Sequence, residues 1–281
     1  MFVDNDFSYI YNVKTEVIFV NQNKTEIFNS YFNGFSFSES LNIVFNQVTG
    51  STNQDAKELA QQGCKNALVI ALEQTNGKGR LNRNFFSPKE TGLYMSLLLH
   101  PKNDVEDVTY LTTLAAVSVA KAIEKQIGEP AYIKWVNDIY LNNKKVCGIL
   151  CNSAFSSSGN LSYAIIGIGI NLNTPKNGFP DDIKNIATSV FGHNEVTPTL
   201  RTELVECIVN EILNGLNSGL KTHIEEYRKR SYLNGKTVTF TKEGKNITAT
   251  VTGIDDDCSL LLETAQGEKI SLFAGEVSVK V

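Results

Sequence analysis

Tyr132-Ile133-Lys134-Trp135-Val136-Asn137-Asp138-Ile139-Tyr140-Leu141-Asn142-Asn143-Lys144-Lys145-Val146-Cys147-Gly148-Ile149-Leu150-Cys151-Asn152 is the stretch that sets the fold class. Tyr132–Trp135 and Ile139–Leu141 read as strands, and Asn142-Asn143 turns into a third, Lys145–Asn152, which is a hairpin signal. Leu161–Asn171 follows as a further strand. Upstream, Leu41–Val48, Ala67–Leu72 and Leu93–Leu99 are strand runs. Helical spacing marks Ser51–Gln62, with Ser51 or Thr52 as N-cap, and Val108–Ile127, which Gly128 and Pro130 end. Leu200–Asn217 and Lys221–Arg230 are also helical. Strands and helices alternate, but with hairpins between them. The pattern therefore predicts an α/β (α+β) chain with a mixed sheet flanked by helices, rather than a pure βαβ array.

Outside this central part the character of the chain changes. Residues 1–40 are aromatic and Asn-rich, an extension of unread role. Thr15–Val20 and Thr25–Phe28 read as two short strands around the turn Asn21-Gln22-Asn23-Lys24. Residues 231–281 give five short alternating runs: Lys236–Thr241, Asn246–Ile254, Ser259–Glu263, Lys269–Phe273 and Val277–Lys280. Tight turns separate them, which predicts a small SH3-like β-barrel. The expected domains are thus 1–40, 41–230 and 231–281.

Composition excludes several classes. The 26 Lys and Arg against 30 Asp and Glu leave a net charge of -4, the wrong balance for general nucleic-acid coating. No apolar run approaches the ~20 residues of a membrane helix. Met1–Ile10 carries Asp4 and Asp6 without a basic cluster, unlike a secretory signal. The five cysteines form no C-x-x-C pair, and His100, His193 and His223 lie far apart, so no metal-ligand set is expected. Reduced thiols in a cytoplasmic protein are the expectation.

Four segments carry chemistry. Gly50-Ser51-Thr52-Asn53-Gln54 is a strand-to-helix turn whose hydroxyls suit helix capping or a small polar head group. Gln74-Thr75-Asn76-Gly77-Lys78-Gly79-Arg80-Leu81-Asn82-Arg83 brings glycines and cations together, either as an anion-binding loop or as a basic surface turn. Lys134, between Ile133 and Trp135, is a strand-borne cation placed to neutralise a phosphate or carboxylate, or an edge-strand lysine whose stem covers apolar surface. Gly167-Ile168-Gly169-Ile170-Asn171 leaves one strand face without side chains, for a ligand or for a tight sheet bend.

Together and in this order, Ser-Thr-Asn, Gly-Lys-Gly-Arg-x-x-Arg, Lys-Trp-x-Asn-Asp and Gly-Ile-Gly-x-Asn-x-Asn resemble the biotin protein ligase family over roughly residues 41–281. The resemblance implies activation of biotin by ATP with Mg²⁺ to biotinyl-5′-AMP. Biotin then passes to one lysine of a biotin carboxyl carrier protein, the carrier of acetyl-CoA carboxylase. It implies catalytic roles for Lys134 and Arg80. It assigns biotin contacts to Ser51, Thr52, Asn53, Gln74, Lys78, Gly79, Arg80, Lys134, Gly148 and Gly167. It assigns ATP contacts to Arg80, Arg83, Phe85, Asn137, Asn171 and Lys280, and Glu276 shares a strand face with Lys280. Asp138 is a candidate base for the acceptor lysine. No protein metal ligand is implied. The family's usual pattern differs at Lys78 and Asn82, where it has Arg and Gly, at Phe85, where it has Trp, and at Val136, where it has Pro. Asn tolerates positive φ, so the loop turn survives at Asn82. A lipoate or octanoate ligase and a biotin-responsive repressor are the competing readings. The short stretch before Ser51 lacks a recognition-helix pattern, so no specific DNA binding is expected. The resemblance admits a homodimer, and no membrane partner is expected.

Overall fold

The computed structural model describes residues 9–10, 22–100, 108–157, 161–219 and 221–279. Eight strands make one mixed sheet: β1 (Tyr9–Ile10), β2 (Asn42–Thr49), β3 (Ala67–Gln74), β4 (Gly92–Leu99), β5 (Tyr132–Lys134), β6 (Asp138–Leu141), β7 (Lys144–Phe155) and β8 (Leu161–Asn171). Their order is β1-β2-β3-β4-β8-β7-β6-β5. The β2–β3 pair is parallel and the other pairs are antiparallel. The parallel pair is bridged by helix α2 (Thr52–Gln61), as a parallel connection requires. Central β4 is buried along its whole length, which explains its unbroken apolar run apart from Ser96. Asn142 and Asn143 both take positive φ, 49° and 64°, so the β6–β7 hairpin turns as the Asn-Asn pair predicts.

Helices cover both faces. On one, Ala56 and Leu59 of α2 pack against Val44, Val69, Leu98 and Ile165. The other carries α3 (Val108–Ile127) and α4 (Pro198–Ser218) in the main core. Thr197 caps α4 by accepting from the Leu200 N–H, with Pro198 in the first turn. Helix α5 (Ile224–Lys229) is shorter than the predicted Lys221–Arg230. No helix among the described residues is long and apolar enough to cross a membrane.

The N-terminal expectation needs correction. Thr25–Phe28 is not a strand but part of helix α1 (Gln22–Tyr31), while Thr15–Val20 lies outside the described residues. The apolar positions Ile27, Phe28, Tyr31 and Phe32 recur at helical spacing; Phe28 and Phe32 are buried against Phe45, and Phe35 against Phe28. Burial of these rings, each a large apolar surface, outweighs the turn signal of the Asn- and Lys-rich entry.

The C-terminal segment forms β9 (Thr237–Lys242), β10 (Lys245–Ile254), β11 (Leu260–Thr264), β12 (Lys269–Leu272) and β13 (Val277–Val279). They pair antiparallel in the order β12-β11-β10-β9-β13. The arrangement is SH3-like, but the sheet stays open: β12 and β13 are its two edges. It is tied to the first sheet by the Trp135 indole, which donates to the Cys258 carbonyl at 2.9 Å.

Candidate active site

The ends of β2, β3, β8 and β6–β7 converge on one cavity of about 220 Å³, and the β3–β4 connection folds over it. Ser51, Thr52, Asn53, Gln74, Lys78, Gly79, Arg80, Arg83, Phe85, Lys134, Asn137, Gly148, Gly167 and Asn171 all line it. Lys280 lies outside the described residues.

The inner end is neutral and polar. Ser51 occupies the N-cap position of α2, but its hydroxyl makes no capping bond, contrary to the capping expectation. The Gln74 side-chain oxygen Oε1 instead accepts from the Thr52 N–H at 2.9 Å and from the Thr52 hydroxyl at 3.2 Å. The Gln74 amide donates to Ser87 at 3.0 Å. Ser96, buried in β4, bridges Thr52 (2.7 Å) and the Asn53 carbonyl oxygen (2.5 Å). Asn53 in turn donates to the Leu150 carbonyl and to Asn152. Such a chain fixes which way each amide points.

Gly167, Gly169 and Asn171 share one face of β8, as alternate strand residues must. The glycine face is not bare, nor is it a bend: it stays in register with β4 and is occupied by protein side chains. A Cβ on Gly167 would stand 2.1 Å from Asn53 Oδ1, and one on Gly169 2.5 Å from the Phe85 ring. The glycines thus let Asn53 and Phe85 lie against the sheet.

The loop over the cavity is a tight hairpin. Phe85 N–H donates to the Gly77 carbonyl and Gly79 N–H to the Arg83 carbonyl, each at 2.8 Å. Asn82 sits at φ 58°, as expected of Asn there, and Leu81 at φ 54° is 65% exposed at the tip. The Arg80 guanidinium donates to Asn137 Oδ1 and to the Gly275 carbonyl, both at 3.0 Å. Arg83 makes a two-pronged ion pair with Glu276, 2.6 Å on each prong, which raises its pKa above the ordinary arginine value. Both arginines therefore fasten the loop to the segment that leads into β13. Asn137 and Asn171 brace the walls: Asn137 donates to the Ile149 carbonyl and Asn171 to the Thr188 carbonyl.

Besides Lys78 of the loop, two lysines line the cavity. Lys134 ends the edge strand β5 with its ammonium 5.7 Å from the Tyr140 ring centre. Burial pushes its pKa below the ordinary lysine value, and Asp138 pulls the other way. Lys145 was not singled out by the sequence. Its ammonium stands 2.8 Å from Asp138 Oδ1, a close charge contact outside hydrogen-bond geometry. Lys145 and Gly148 are three apart, which on a regular strand puts them on opposite faces. The register shift opposite Ile139 and Tyr140 brings them together, so a Cβ on Gly148 would be 3.2 Å from the Lys145 ammonium. Ile183, Ile186 and Ala187, also unmarked in sequence, add an apolar wall beside Phe85. That segment is held by Lys145, whose N–H donates to the Ile186 carbonyl and whose carbonyl accepts from Thr188.

The cavity thus grades from a fixed neutral polar end through a set of cations to an apolar wall. It can hold a uncharged hydrogen-bonding head at Asn53, an anionic centre among Arg80, Arg83, Lys134 and Lys145, and a flat group against Phe85 and Ile186.

Comparison with known proteins gives consistent results. The Biotin/lipoate A/B protein ligase family profile matches residues 45–171, and the Biotin protein ligase C terminal domain profile matches residues 234–280. The bifunctional ligase/repressor BirA of Bacillus subtilis (strain 168) is 35% identical over 246 residues, covering 84% of this chain and 74% of that protein. The biotin–[acetyl-CoA-carboxylase] ligase of Mycobacterium tuberculosis (strain ATCC 25618 / H37Rv) is 25% identical over 239 residues, covering 82% and 85%. The structure of the biotin protein ligase from Aquifex aeolicus in complex with biotin and ATP superimposes with a TM-score of 0.71 at 26% identity, covering 85% of this chain and 98% of that one.

Proposed function

Because the chain belongs to the biotin protein ligase family, we propose that this cavity converts biotin and ATP to biotinyl-5′-AMP and passes biotin to a lysine of the biotin carboxyl carrier protein of acetyl-CoA carboxylase. The observation that carries the assignment of residues is the grading of one cavity: the Gln74–Thr52–Ser96–Asn53 network at one end, the cations Arg80, Arg83, Lys134 and Lys145 in the middle and Phe85 with Ile186 at the other. The uncharged ureido head of biotin matches the Asn53 end, beside Gly167. Its carboxylate then lies toward Gly148, and the adenosine toward Phe85, Asn171 and Ile186.

The chemistry follows from charge. A carboxylate and an anionic α-phosphate repel, so attack needs positive groups held at the reacting centre in advance. Lys134, Lys145 and Arg80 supply them. A carboxylate oxygen bonds to the α-phosphorus, the bridging oxygen leaves with pyrophosphate, and the mixed anhydride remains. The loop fastened by Arg80 and Arg83 screens that anhydride from water. The acceptor amine then attacks the biotinyl carbonyl, gives up a proton and releases AMP. Asp138 faces the cavity, but its pairing with Lys145 favours a role in setting that lysine rather than as the base.

Mg²⁺ belongs to the proposal only through ATP. Among the described residues no three His, Cys, Asp or Glu side chains gather. The two carboxylates of the cavity, Asp138 and Glu276, face Lys145 and Arg83. This donor set does not make a Mg²⁺ site, so the cation would enter held by the phosphates. No step above is routed through it. Incubation with biotin and α-labelled ATP tests the reading: a biotin-dependent labelled adenylate is expected, and its absence, or an equal product with lipoate in place of biotin, overturns it.

A further inference from the structure

Arg201 is a buried cation that the proposed chemistry does not use. It is 5% exposed in the first turns of α4, and among the described residues no carboxylate forms an ion pair with its guanidinium. Instead it donates to the Gly92 carbonyl and the Glu90 carbonyl, both at 3.1 Å, and its outer face lies 5.7 Å from the centre of the Tyr31 ring. The Tyr31 hydroxyl donates to the Glu90 carboxylate at 2.7 Å. Glu90 itself holds φ 66°, a conformation a glutamate adopts only when its surroundings impose it.

The turn clamped in this way is a junction. It closes the β3–β4 connection, so it is the root of the loop that carries Arg80 and Arg83. Glu90 N–H donates to the Leu72 carbonyl, near the end of the strand that carries Gln74. The Thr91 carbonyl accepts from both Leu172 (3.0 Å) and Asn173 (2.8 Å), and Gly92 pairs with Asn171 across the ladder. Asn171 holds Thr188, next to Ile186 and Ala187 on the apolar wall. Tyr31 comes from helix α1, ahead of residue 45, where the family profile begins. The segment that follows is strapped to α4 by Asn33, Ser36 and Ser38. A part of the chain outside the family profile thus reaches a corner of the cavity it does not itself line.

We infer that Tyr31 and Arg201 are positioning residues for the nucleotide: through Glu90 they fix the Glu90–Gly92 turn and, through it, Asn171 and the Ile186 wall. This gives the N-terminal segment a role in catalysis at one remove. It rests on the nucleotide lying at the Asn171 end, as proposed above.

The test uses the full chain and steady-state adenylate formation, with the melting temperature measured in parallel. Tyr31→Phe keeps the ring over Arg201 and removes only the hydroxyl. It is expected to raise KM for ATP about fivefold, the size of one modest hydrogen bond, while KM for biotin stays within about twofold. Glu90→Ala should exceed it in the same direction. Asn33→Ala loosens the strap on α4 without touching the turn, so it should lower the melting temperature and leave KM for ATP in place. An active Tyr31→Phe enzyme with unchanged KM for ATP overturns the inference. So does a series in which KM for ATP simply tracks the melting temperature across all three variants. If the wild-type chain forms no biotin-dependent adenylate, the reading of the site fails first and the inference with it.

Discussion

Gly167→Ala puts the reading of the inner end to a direct test. The added methyl would stand 2.1 Å from Asn53 Oδ1 and 2.7 Å from its Cγ and Nδ2. Asn53 is short and anchored, so it cannot yield by flexing. It must swing away and give up its bonds to Ser96 (2.5 Å), Asn152 (2.9 Å) and the Leu150 carbonyl (3.2 Å). Each such bond contributes ~0.5–1.5 kcal/mol net, but the amide swings into an open cavity where water offsets part of the loss. The expected destabilisation is about 1–2 kcal/mol, a fall in melting temperature of roughly 2–8 °C for a chain of this size. Biotin affinity should fall by about tenfold or more, the value of one hydrogen bond to the ligand. Calorimetric titration with biotin and a thermal melt measure both. Gly169→Ala is the internal control: its methyl would strike the Phe85 ring at 2.5 Å, so its effect should fall on ATP and spare biotin. Wild-type biotin affinity in Gly167→Ala, or the same ligand profile for both variants, refutes the placement of biotin at Asn53.

Lys145→Ala and Lys134→Ala should each slow adenylate formation by about 100-fold, and a variant that turns over normally removes that lysine from the reacting centre. Arg80→Gly loses the bonds to Asn137 and the Gly275 carbonyl, so it should still form biotinyl-AMP but release it to label bystander lysines; retention of the intermediate would show that the loop is not the closure. Burial makes the Lys134 ammonium harder to keep, so as pH rises its charge is lost below the ordinary lysine range, and the adenylation rate should fall there. The same depression makes the folded chain gain stability as pH rises through that interval, and Lys134→Arg should remove the rate decline.

The motifs that line the cavity were legible because each sits at a strand end or in the connection that leaves it. The sheet gathers those ends, so Ser51–Asn53, Gln74, Lys134 and Asn171 meet without any one motif announcing the meeting. Lys145 was hidden by a register shift: odd spacing to Gly148 says opposite faces, and only the extra residue in β7 reverses it. Ile183 and Ile186 sit in a segment without periodicity, held by backbone bonds to Lys145 that leave no mark in composition. In helix α1 the signal was present, in Ile27, Phe28, Tyr31 and Phe32, but a neighbouring Asn-rich run argued locally for a turn. Packing of the rings on Phe45 decided the matter, and packing is not local.

Gly275, Glu276 and Val277 form part of the cavity wall, and Ser51, Thr52, Asn53 and Gln74, from far earlier in the chain, form another part. Chains fold as they are made, from the N-terminus onward. A polypeptide still being synthesised can complete the eight-stranded sheet and its polar inner end before β13 exists. Until β13 joins β9, Arg80 lacks the Gly275 carbonyl and Arg83 lacks Glu276. A nascent chain on the ribosome therefore has the cavity without a fastened cover, and a reactive intermediate formed there would escape to the surrounding solution. Placing the fastening residues after every other residue that lines the cavity ties containment of the chemistry to the emergence of β13 and the segment that leads into it.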